Sequence, residues 1–309
     1  MKTIKSPALK ATFSDFGARL QALEVDGVDV VFGTPLNEAH ESWDNSAGVT
    51  CGRHAGRISG SQYTLDGELV KLVPNREGFQ LHGGPKGFGS QLWASHKRGN
   101  EIHFTLTSPD GDQGFPGELR ANAVYGVTGN VLWAELTATT SKPTVINLTN
   151  HAYWNLSGPS AGKDSAFAQE VQMSASRYLI TDKNLLPNGE LPPVAGTEFD
   201  FRKLRAVNQA YDHCFVLDGK RGAMKQCLTM RDPKSGRRME VWTTECAIQF
   251  YTAIHWNEKF PGKGAPLHQH QAIAIEPQNL PDAPNHANFP SSILRPGRTY
   301  RNRIEWRFY

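Results

Sequence analysis

The chain lacks long hydrophobic runs and lacks clusters of charge of one sign. No apolar stretch approaches the roughly 20 residues that a membrane-spanning helix needs. Residues 1–8 also lack the apolar segment of a secretory signal. The net charge is only +3, with lysines and arginines interspersed among the acids. We therefore expect neither nucleic acid nor a membrane as a partner, and we expect a cytoplasmic protein.

Cysteine is scarce, and its spacing fits no CxxC or CxxH motif. The four cysteines are Cys51, Cys214, Cys227 and Cys246. Without a secretory signal, this usage predicts buried thiols in a reducing compartment rather than disulfides.

Motifs for metals, nucleotides and serine nucleophiles are also missing or incomplete. His268 and His270 precede Glu276 in an order similar to the metal motif of cupins. However, the carboxylate comes six residues after the second histidine, so a strand would carry it about 7 Å too far. Residues 158–162 match GxSxG, but that elbow needs an α/β sheet, so a polar loop is favoured. No P-loop or GxGxxG is present, and we expect neither metal nor cofactor.

What the chain does have is period-two hydrophobicity, broken by turns. Ile304, Trp306 and Phe308 share one face of the last segment, opposite Arg301, Arg303, Glu305 and Arg307. This alternation predicts a half-buried strand with a solvated charged face, although a basic binding stripe is the alternative. Turn signals recur roughly every eight to twelve residues, and long amphipathic helical windows are absent. The pattern predicts an all-β sandwich or barrel, with residues 1–309 forming one domain.

Three segments carry side chains suited to proton transfer. Glu276 ends an apolar run and precedes a proline-rich loop, which favours a base in a cleft. His151 lies among asparagines and large aromatics, where it serves either as a catalytic acid or as a core residue. His82 precedes Gly83 and Gly84, whose missing Cβ atoms allow close approach of a ligand, although a turn histidine is the alternative. An acid, a base and an orienting imidazole favour proton-transfer chemistry on a sugar.

Other residues are candidates for holding that sugar. Trp154, Phe88 and Tyr251 are aromatics that can stack on sugar faces. Arg53 and Arg57 bracket a glycine-rich turn, so either one points into a cleft or forms an exposed salt bridge.

The order of the motifs resembles the aldose 1-epimerase (galactose mutarotase) family nearly end to end. The matching segments are Gly52-Arg-x-Ala-x-Arg57-Ile, Leu81-His-Gly-Gly84, Asp110-Gly-x-x-Gly-Phe-Pro-Gly117, Asn147-x-x-Asn-His151-x-Tyr-x-Asn-Leu156, Phe199-Asp-Phe-Arg202, Tyr211-Asp-His213, Thr243-Thr-Glu-x-x-x-Gln249-x-Tyr251-Thr, Glu276-x-Gln-x-x-Pro-Asp-Ala-x-Asn285 and Pro296-Gly297-x-x-Tyr300.

The resemblance implies a large antiparallel β-sandwich of the galactose mutarotase-like supersandwich type, with a sugar in an open cleft. It implies interconversion of α and β anomers without a cofactor, with Glu276 as general base and His151 as general acid. The residues that it assigns to sugar binding are His82, Arg57, Asp212 and Gln249. A carboxylate and an imidazolium on opposite sides of the anomeric C–O bond would deprotonate the hydroxyl and protonate the ring oxygen. Apolar Ile275 and Pro277 should raise the pKa of a buried Glu276.

Two positions depart from the family pattern. Gly56 stands where relatives usually carry a sugar-contacting asparagine, so that contact is lost or supplied by His54. Cys246 replaces a usual proline and is expected to reshape the following loop. Both departures suggest an altered sugar preference, including an anionic hexose whose charge Arg53 or Lys86 would meet.

Two other functions remain open on the sequence. The first is a non-catalytic sugar-binding module on the same fold. The second is a glycoside hydrolase or lyase, which needs a second carboxylate across from Glu276, and Asp212 is the candidate. A small-molecule sugar is the expected partner, with the chain as a monomer or homodimer.

Overall fold

The computed structural model describes residues 1–35 and 46–309. Every pairing between its described strands is antiparallel, which confirms the predicted all-β class. In this part of the chain no helix is long and apolar enough to cross a membrane. The helical segments described are short 3-10 turns: Phe88–Ser90, Asp112–Gly114, Gly158–Ser160, Ser165–Ala168 and Ala283–Asn285.

The largest sheet, called sheet A, contains the C-terminal strand near its centre. In spatial order, its described strands are Ala94–Arg98, Glu101–Ser108, Leu119–Thr128, Val131–Thr140, Tyr300–Phe308, Arg238–Thr243, Lys225–Arg231, Glu170–Met173 and Arg205–Ala206. Ile304, Trp306 and Phe308 are buried, as the alternation predicts. On the opposite face, Arg303 and Arg307 contact Glu305, as expected for a charged face.

A second sheet, called sheet B, packs against sheet A. In spatial order, its described strands are Ala175–Tyr178, Asp212–Leu217, Ala247–Tyr251, Ile273–Gln278, Tyr153–Trp154 and Val31–Phe32. The Trp154 ring lies 5.6 Å from that of Trp306 and 6.0 Å from that of Phe308. Burying large aromatics in this way contributes roughly 1.5–3 kcal/mol each. Trp154 therefore belongs to the core, and the expectation that it stacks on a sugar is wrong.

A third sheet and four strand pairs complete the described fold. Sheet C consists of Lys2–Lys5, Leu9–Ser14, Arg19–Val25 and Val28–Asp29. The pairs are Arg57–Ser59 with Phe79–Leu81, Gln62–Leu65 with Glu68–Lys71, Thr50–Cys51 with Thr149–Asn150, and Thr144–Val145 with Ile293–Leu294. Phe13 of sheet C packs on Phe104 and Tyr125 of sheet A, with ring centroids 6.2 and 4.8 Å away. Sheet C therefore extends the same core.

The strand Ile273–Gln278 shows how sheet B acquires two different faces. Ile273 and Ile275 belong to the core shared with sheet A. Glu276 and Gln278 alternate with them and line a cleft on the other side. The strand is buried along its whole length, so its polar residues lie within the protein rather than on its surface. All four cysteine side chains are buried thiols, as predicted.

Candidate active site

Adjacent strands of sheet B bring three predicted residues together. Gln249 lies directly opposite Glu276 in the strand register. Asp212 comes from the next strand, and its Oδ1 accepts a 2.6 Å hydrogen bond from Gln249 Nε2. Because alternate residues of a strand share a face, these side chains meet at the floor of one cleft.

Two histidines enter the cleft from loops and short strands. His151 follows the strand Thr149–Asn150, and its Nε2 lies 3.3 Å from Glu276 Oε1. The His82 ring is edge-on to the His151 ring, with centroids 5.3 Å apart. Both histidines and Glu276 thus form one contiguous group, although they are far apart in sequence.

All six predicted site residues line a single cleft of about 350 Å³. Arg57 completes the set; its Nη2 lies 3.7 Å from Asp212 Oδ2, and its guanidinium lies 5.6 Å from the centroid of the Phe79 ring. Tyr251 also lines the cleft, which leaves it as the candidate stacking aromatic. The volume suits a small ligand.

Burial makes Glu276 an unusual carboxylate. Its side chain is 2% exposed, and Oε2 has no hydrogen-bond partner among the described residues. Burial raises the pKa of Glu276 to about 7, Asp212 adds to the rise, and His151 and Arg57 oppose it. The predicted rise in the pKa of Glu276 is confirmed. A carboxyl group with this pKa can both take and return a proton near neutral pH.

His82 is held as a neutral imidazole. Its Nδ1 accepts a hydrogen bond of 3.2 Å from the backbone N–H of Gly56, which leaves the proton on Nε2. Burial lowers the pKa of His82 well below its ordinary value, and the nearby His151, Arg57 and Arg76 lower it further. His82 can therefore donate a hydrogen bond from Nε2 without carrying charge.

Arg53 does not enter the cleft, and the expectation that it might is wrong. Its guanidinium is buried and donates to Ser108 Oγ and to the carbonyl oxygens of Ser108, Pro109 and Pro116. Burial lowers the pKa of Arg53 to about 10, so it stays charged at neutral pH. Its donors stabilise a loop, and it is not available to a charged sugar.

Two other residues expected near the sugar, His54 and Lys86, also lie outside the lining of the cleft. His54 is fully buried and does not line the cleft, so it cannot supply the missing contact. Burial lowers its pKa to about 3. Lys86 is exposed outside the cleft lining, which contradicts its assignment to an anionic sugar. Cys246 is buried and its thiol donates to Asn279 Oδ1 at 3.1 Å, while Gln249 keeps its place opposite Glu276.

Two further expectations about ligand contacts are wrong. Phe88 is buried against Trp93, with ring centroids 5.6 Å apart in an edge-on arrangement. A Cβ atom on Gly83 would lie 1.9 Å from the carbonyl oxygen of Gly52. The close approach that this glycine allows is therefore that of another backbone segment and not that of a ligand.

The polar motif around His151 supports the loops. Asn147 Nδ2 donates to the carbonyl oxygens of Ala55 and Asn279, and Asn150 Nδ2 donates to that of Gly48. These bonds satisfy buried backbone groups, so the asparagines position His151 without facing the cleft.

The cupin-like set of metal ligands is not assembled. His268 Nδ1 lies 3.3 Å from Glu258 Oε1, and His270 Nδ1 contacts the carbonyl oxygen of Thr252. Cys51, His82 and Glu276 do offer ligand atoms within 4.8 Å of one another, a group that could hold a metal ion. Two of these three residues are shared with the cleft.

The GxSxG segment is a surface turn, as predicted. Ser160 is exposed in a 3-10 turn, and its hydroxyl donates to the carbonyl oxygen of Ser157.

Several cleft residues were missed by the sequence analysis. They are Ser46, Arg76, Leu81, Tyr153, His255, Phe260, Gln278 and Pro281. Gln278 follows Glu276 by two positions, so the period-two rule could have identified it. Arg76 and His255 lie in irregular segments, and no pattern in the sequence indicates which way they point.

Comparison with known proteins identifies the family of this chain. The family model for aldose 1-epimerase matches residues 2–307. A galactose mutarotase from Sus scrofa is 37% identical, covering 98% of this chain and 92% of the relative, and an aldose 1-epimerase from Escherichia coli is 34% identical, covering 96% and 91%. A GalM/aldose epimerase homologue from C. elegans superposes with a TM-score of 0.91 at 31% identity, covering 99% and 98%. The chain therefore belongs to the aldose 1-epimerase family and is an isomerase of that class.

Proposed function

We propose that this enzyme interconverts the α and β anomers of a neutral hexose, with Glu276 as general base and His151 as general acid. The carrying observation is the 3.3 Å separation between Glu276 Oε1 and His151 Nε2 at the cleft wall. The anomeric hydroxyl oxygen and the ring oxygen are bonded to the same carbon, so they are a little closer together than this pair. We therefore expect Glu276 and His151 to approach the two oxygens from the same side of the sugar, rather than from opposite sides of the bond.

Ring opening then requires no other reagent. Glu276 removes the proton of the anomeric hydroxyl, and the electron pair of that O–H bond forms the carbonyl of the aldehyde. The bond between the anomeric carbon and the ring oxygen breaks, and that oxygen takes the proton of His151. Rotation about C1–C2 presents the other aldehyde face. Closure reverses both transfers, so Glu276 and His151 return to their starting states, each proton transfer contributing on the order of 10²–10⁴ in rate.

The remaining cleft residues are suited to holding the hydroxyl groups. Asp212 accepts from Gln249 and faces Arg57, so its carboxylate is oriented from two sides. His82 Nε2–H is a neutral donor beside His151, where a charged donor would disfavour the protonated acid. Galactose is the first substrate to test, because the Sus scrofa relative is named a galactose mutarotase.

A hexose carrying a phosphate or carboxylate group is the second candidate substrate. Arg76 lines the cleft and is exposed there, and its Nη1 donates to the carbonyl oxygen of Asn75. Arg76 is thus a cation in the cleft that can meet the charge of an anionic hexose, the role expected of Lys86 or Arg53.

Exchange NMR at the anomeric protons of galactose and glucose tests the proposal directly. Wild-type protein should accelerate anomer exchange, and Glu276→Gln and His151→Asn should each abolish most of it, while Glu135→Gln on sheet A should change nothing. A near-normal rate in either cleft variant would remove that residue from the mechanism. Acceleration limited to hexose 6-phosphates or uronates would favour the second candidate. Sugar binding without acceleration of any sugar would favour a non-catalytic binding module.

A further inference from the structure

Gln278 presents a buried amide that the fold leaves unused. Its side chain is 1% exposed and lines the cleft. Neither Oε1 nor Nε2 forms a hydrogen bond with any residue in the described ranges 1–35 and 46–309. A buried amide without partners costs free energy, so native proteins usually satisfy both of its ends. A ligand in the cleft would supply the missing partners.

The position of this amide fits a sugar whose anomeric carbon lies at Glu276. Gln278 follows Glu276 on the same strand face, a step of about 7 Å along an extended strand. That distance is comparable to the reach of a pyranose ring with its substituents. A sugar held at Glu276 therefore presents a more distant hydroxyl group to Gln278.

Gly56 lies beside the amide, so a side chain at this position would contact it. A Cβ atom built on Gly56 would lie 3.5 Å from Gln278 Nε2 and 3.0 Å from Pro281 Cβ. Gly56 also has φ +79°, a left-handed conformation that glycine and asparagine tolerate better than other residues. Glycine at this position therefore keeps the backbone turn and places no side chain against Gln278.

We infer that Gln278 binds a hydroxyl group of the substrate through its otherwise unpartnered amide. An amide offers both a donor and an acceptor, which matches a hydroxyl group that needs both. Gln278 is therefore a specificity-determining residue of the cleft, outside the acid and base pair. This inference depends on the proposed function only in that a sugar occupies the cleft.

The test compares wild type with Gln278→Ala on galactose and its monodeoxy derivatives. In wild-type protein, one deoxysugar should show a KM about tenfold higher than galactose, the loss expected for one hydrogen bond. In Gln278→Ala the KM for galactose should rise by a similar factor, and that same deoxysugar should bind no worse than galactose. The value of kcat should change little, because Glu276 and His151 are intact.

Gln169→Ala is the matched control. Gln169 is equally buried, but its Nε2 donates to Ser157 Oγ and Asp232 Oδ1 away from the cleft. This variant should lose thermal stability without a change in KM. Gly56→Asn in the Gln278→Ala background places an amide in the vacated space, and it should recover part of the lost affinity.

The inference is overturned if the increase in KM from galactose to each deoxysugar is the same in Gln278→Ala as in wild type. It is also overturned if Gln278→Ala has the same KM for galactose as wild type. It fails separately from the proposed function. If wild-type protein accelerates no anomer exchange, saturation-transfer NMR of galactose binding to both proteins decides the matter, with weaker binding by Gln278→Ala supporting the contact. Absence of binding to wild type would overturn both.

Discussion

Arg53 and Arg57 lie four residues apart in one glycine-rich turn, yet they occupy opposite kinds of environment. The Arg53 guanidinium is enclosed by side-chain and carbonyl oxygens of one loop. Arg57 faces the cleft, its ion pair with Asp212 is long at 3.7 Å, and its buried Nε has no described partner. The fold thus provides hydrogen-bond partners for the Arg53 guanidinium. It leaves the Nε of Arg57 without a described partner. A polar group that the protein satisfies stabilises structure, whereas one left open beside a cleft is available to a ligand.

The same contrast extends across the cleft. Glu276 Oε2, His151 Nδ1 and the Gln278 amide are all buried without hydrogen-bond partners among the described residues. Missing partners alone do not mark a site, because both ring nitrogens of His54 are also unsatisfied and yet lie outside the cleft. The combination of an open polar atom and access to the cleft is what distinguishes the functional group from a structural one.

The largest effect should come from removing the proposed acid and base. Glu276→Gln or His151→Asn should each lower kcat by on the order of 10²–10⁴, because each removes one proton transfer. The double variant should be little worse than the poorer single variant, since the two groups act in one concerted exchange. Anomer exchange measured by NMR checks both statements, and additive losses would show that the residues act independently.

Substitution of the two arginines should affect different properties: stability for Arg53 and substrate binding for Arg57. Arg53→Met should lower the free energy of unfolding by about 3 kcal/mol or more, because the carbonyl oxygens around it lose a buried cationic donor. Arg57→Met should leave stability nearly unchanged and raise KM by roughly 10–100-fold through loss of a charged hydrogen bond. Urea denaturation and steady-state kinetics on both variants measure the contrast. If Arg53→Met has the same free energy of unfolding as wild type, the proposed difference between the two arginines is wrong.

The pH dependence sharpens the contrast for Glu276. A base with a pKa of about 7 must be ionised, so kcat/KM should fall tenfold per pH unit below about pH 7. The raised pKa also means that the native state binds more protons than the unfolded state between about pH 4.5 and 7. The free energy of unfolding should therefore decrease as pH rises through this window.

Glu276→Gln should remove that contribution to the slope of stability against pH. Thermal unfolding at several pH values compares the variant with wild type. A kinetic limb near pH 4.5 instead of pH 7 would contradict the assignment of Glu276 as a buried base.

The smallest effects are expected from the surface cations. Lys86→Ala should leave KM unchanged for every sugar, because Lys86 lies outside the cleft lining. Arg76→Ala should leave neutral hexoses nearly unaffected and raise KM for a hexose phosphate by about fivefold, the scale of an exposed ion pair. Competition kinetics at low and high salt provide the measurement. Equal effects of Arg76→Ala on neutral and charged sugars would exclude a role in charge recognition.

Much of the fold could be predicted because alternation is a local property. The buried face of Tyr300–Phe308 follows directly from its sequence. The order of the motifs also identified six residues that meet in the cleft. The direction in which a side chain points was harder to predict. Arg53 and Arg57 share one motif, and only packing decides which of them faces the cleft. Trp154 was misassigned for the same reason: this aromatic is close to His151 in sequence but falls on the opposite face of the sheet.

The alternation in Ile273–Gln278 has an evolutionary consequence. Substitution at Gly56 or Gln278 leaves the register of sheet B intact, so sugar preference can change by single point mutations. Insertion or deletion of one codon within the strand would instead exchange its faces, placing Glu276 in the core and Ile275 in the cleft. Lineages of this enzyme should therefore vary in residue identity at positions 56 and 278, while the length of the strand stays constant.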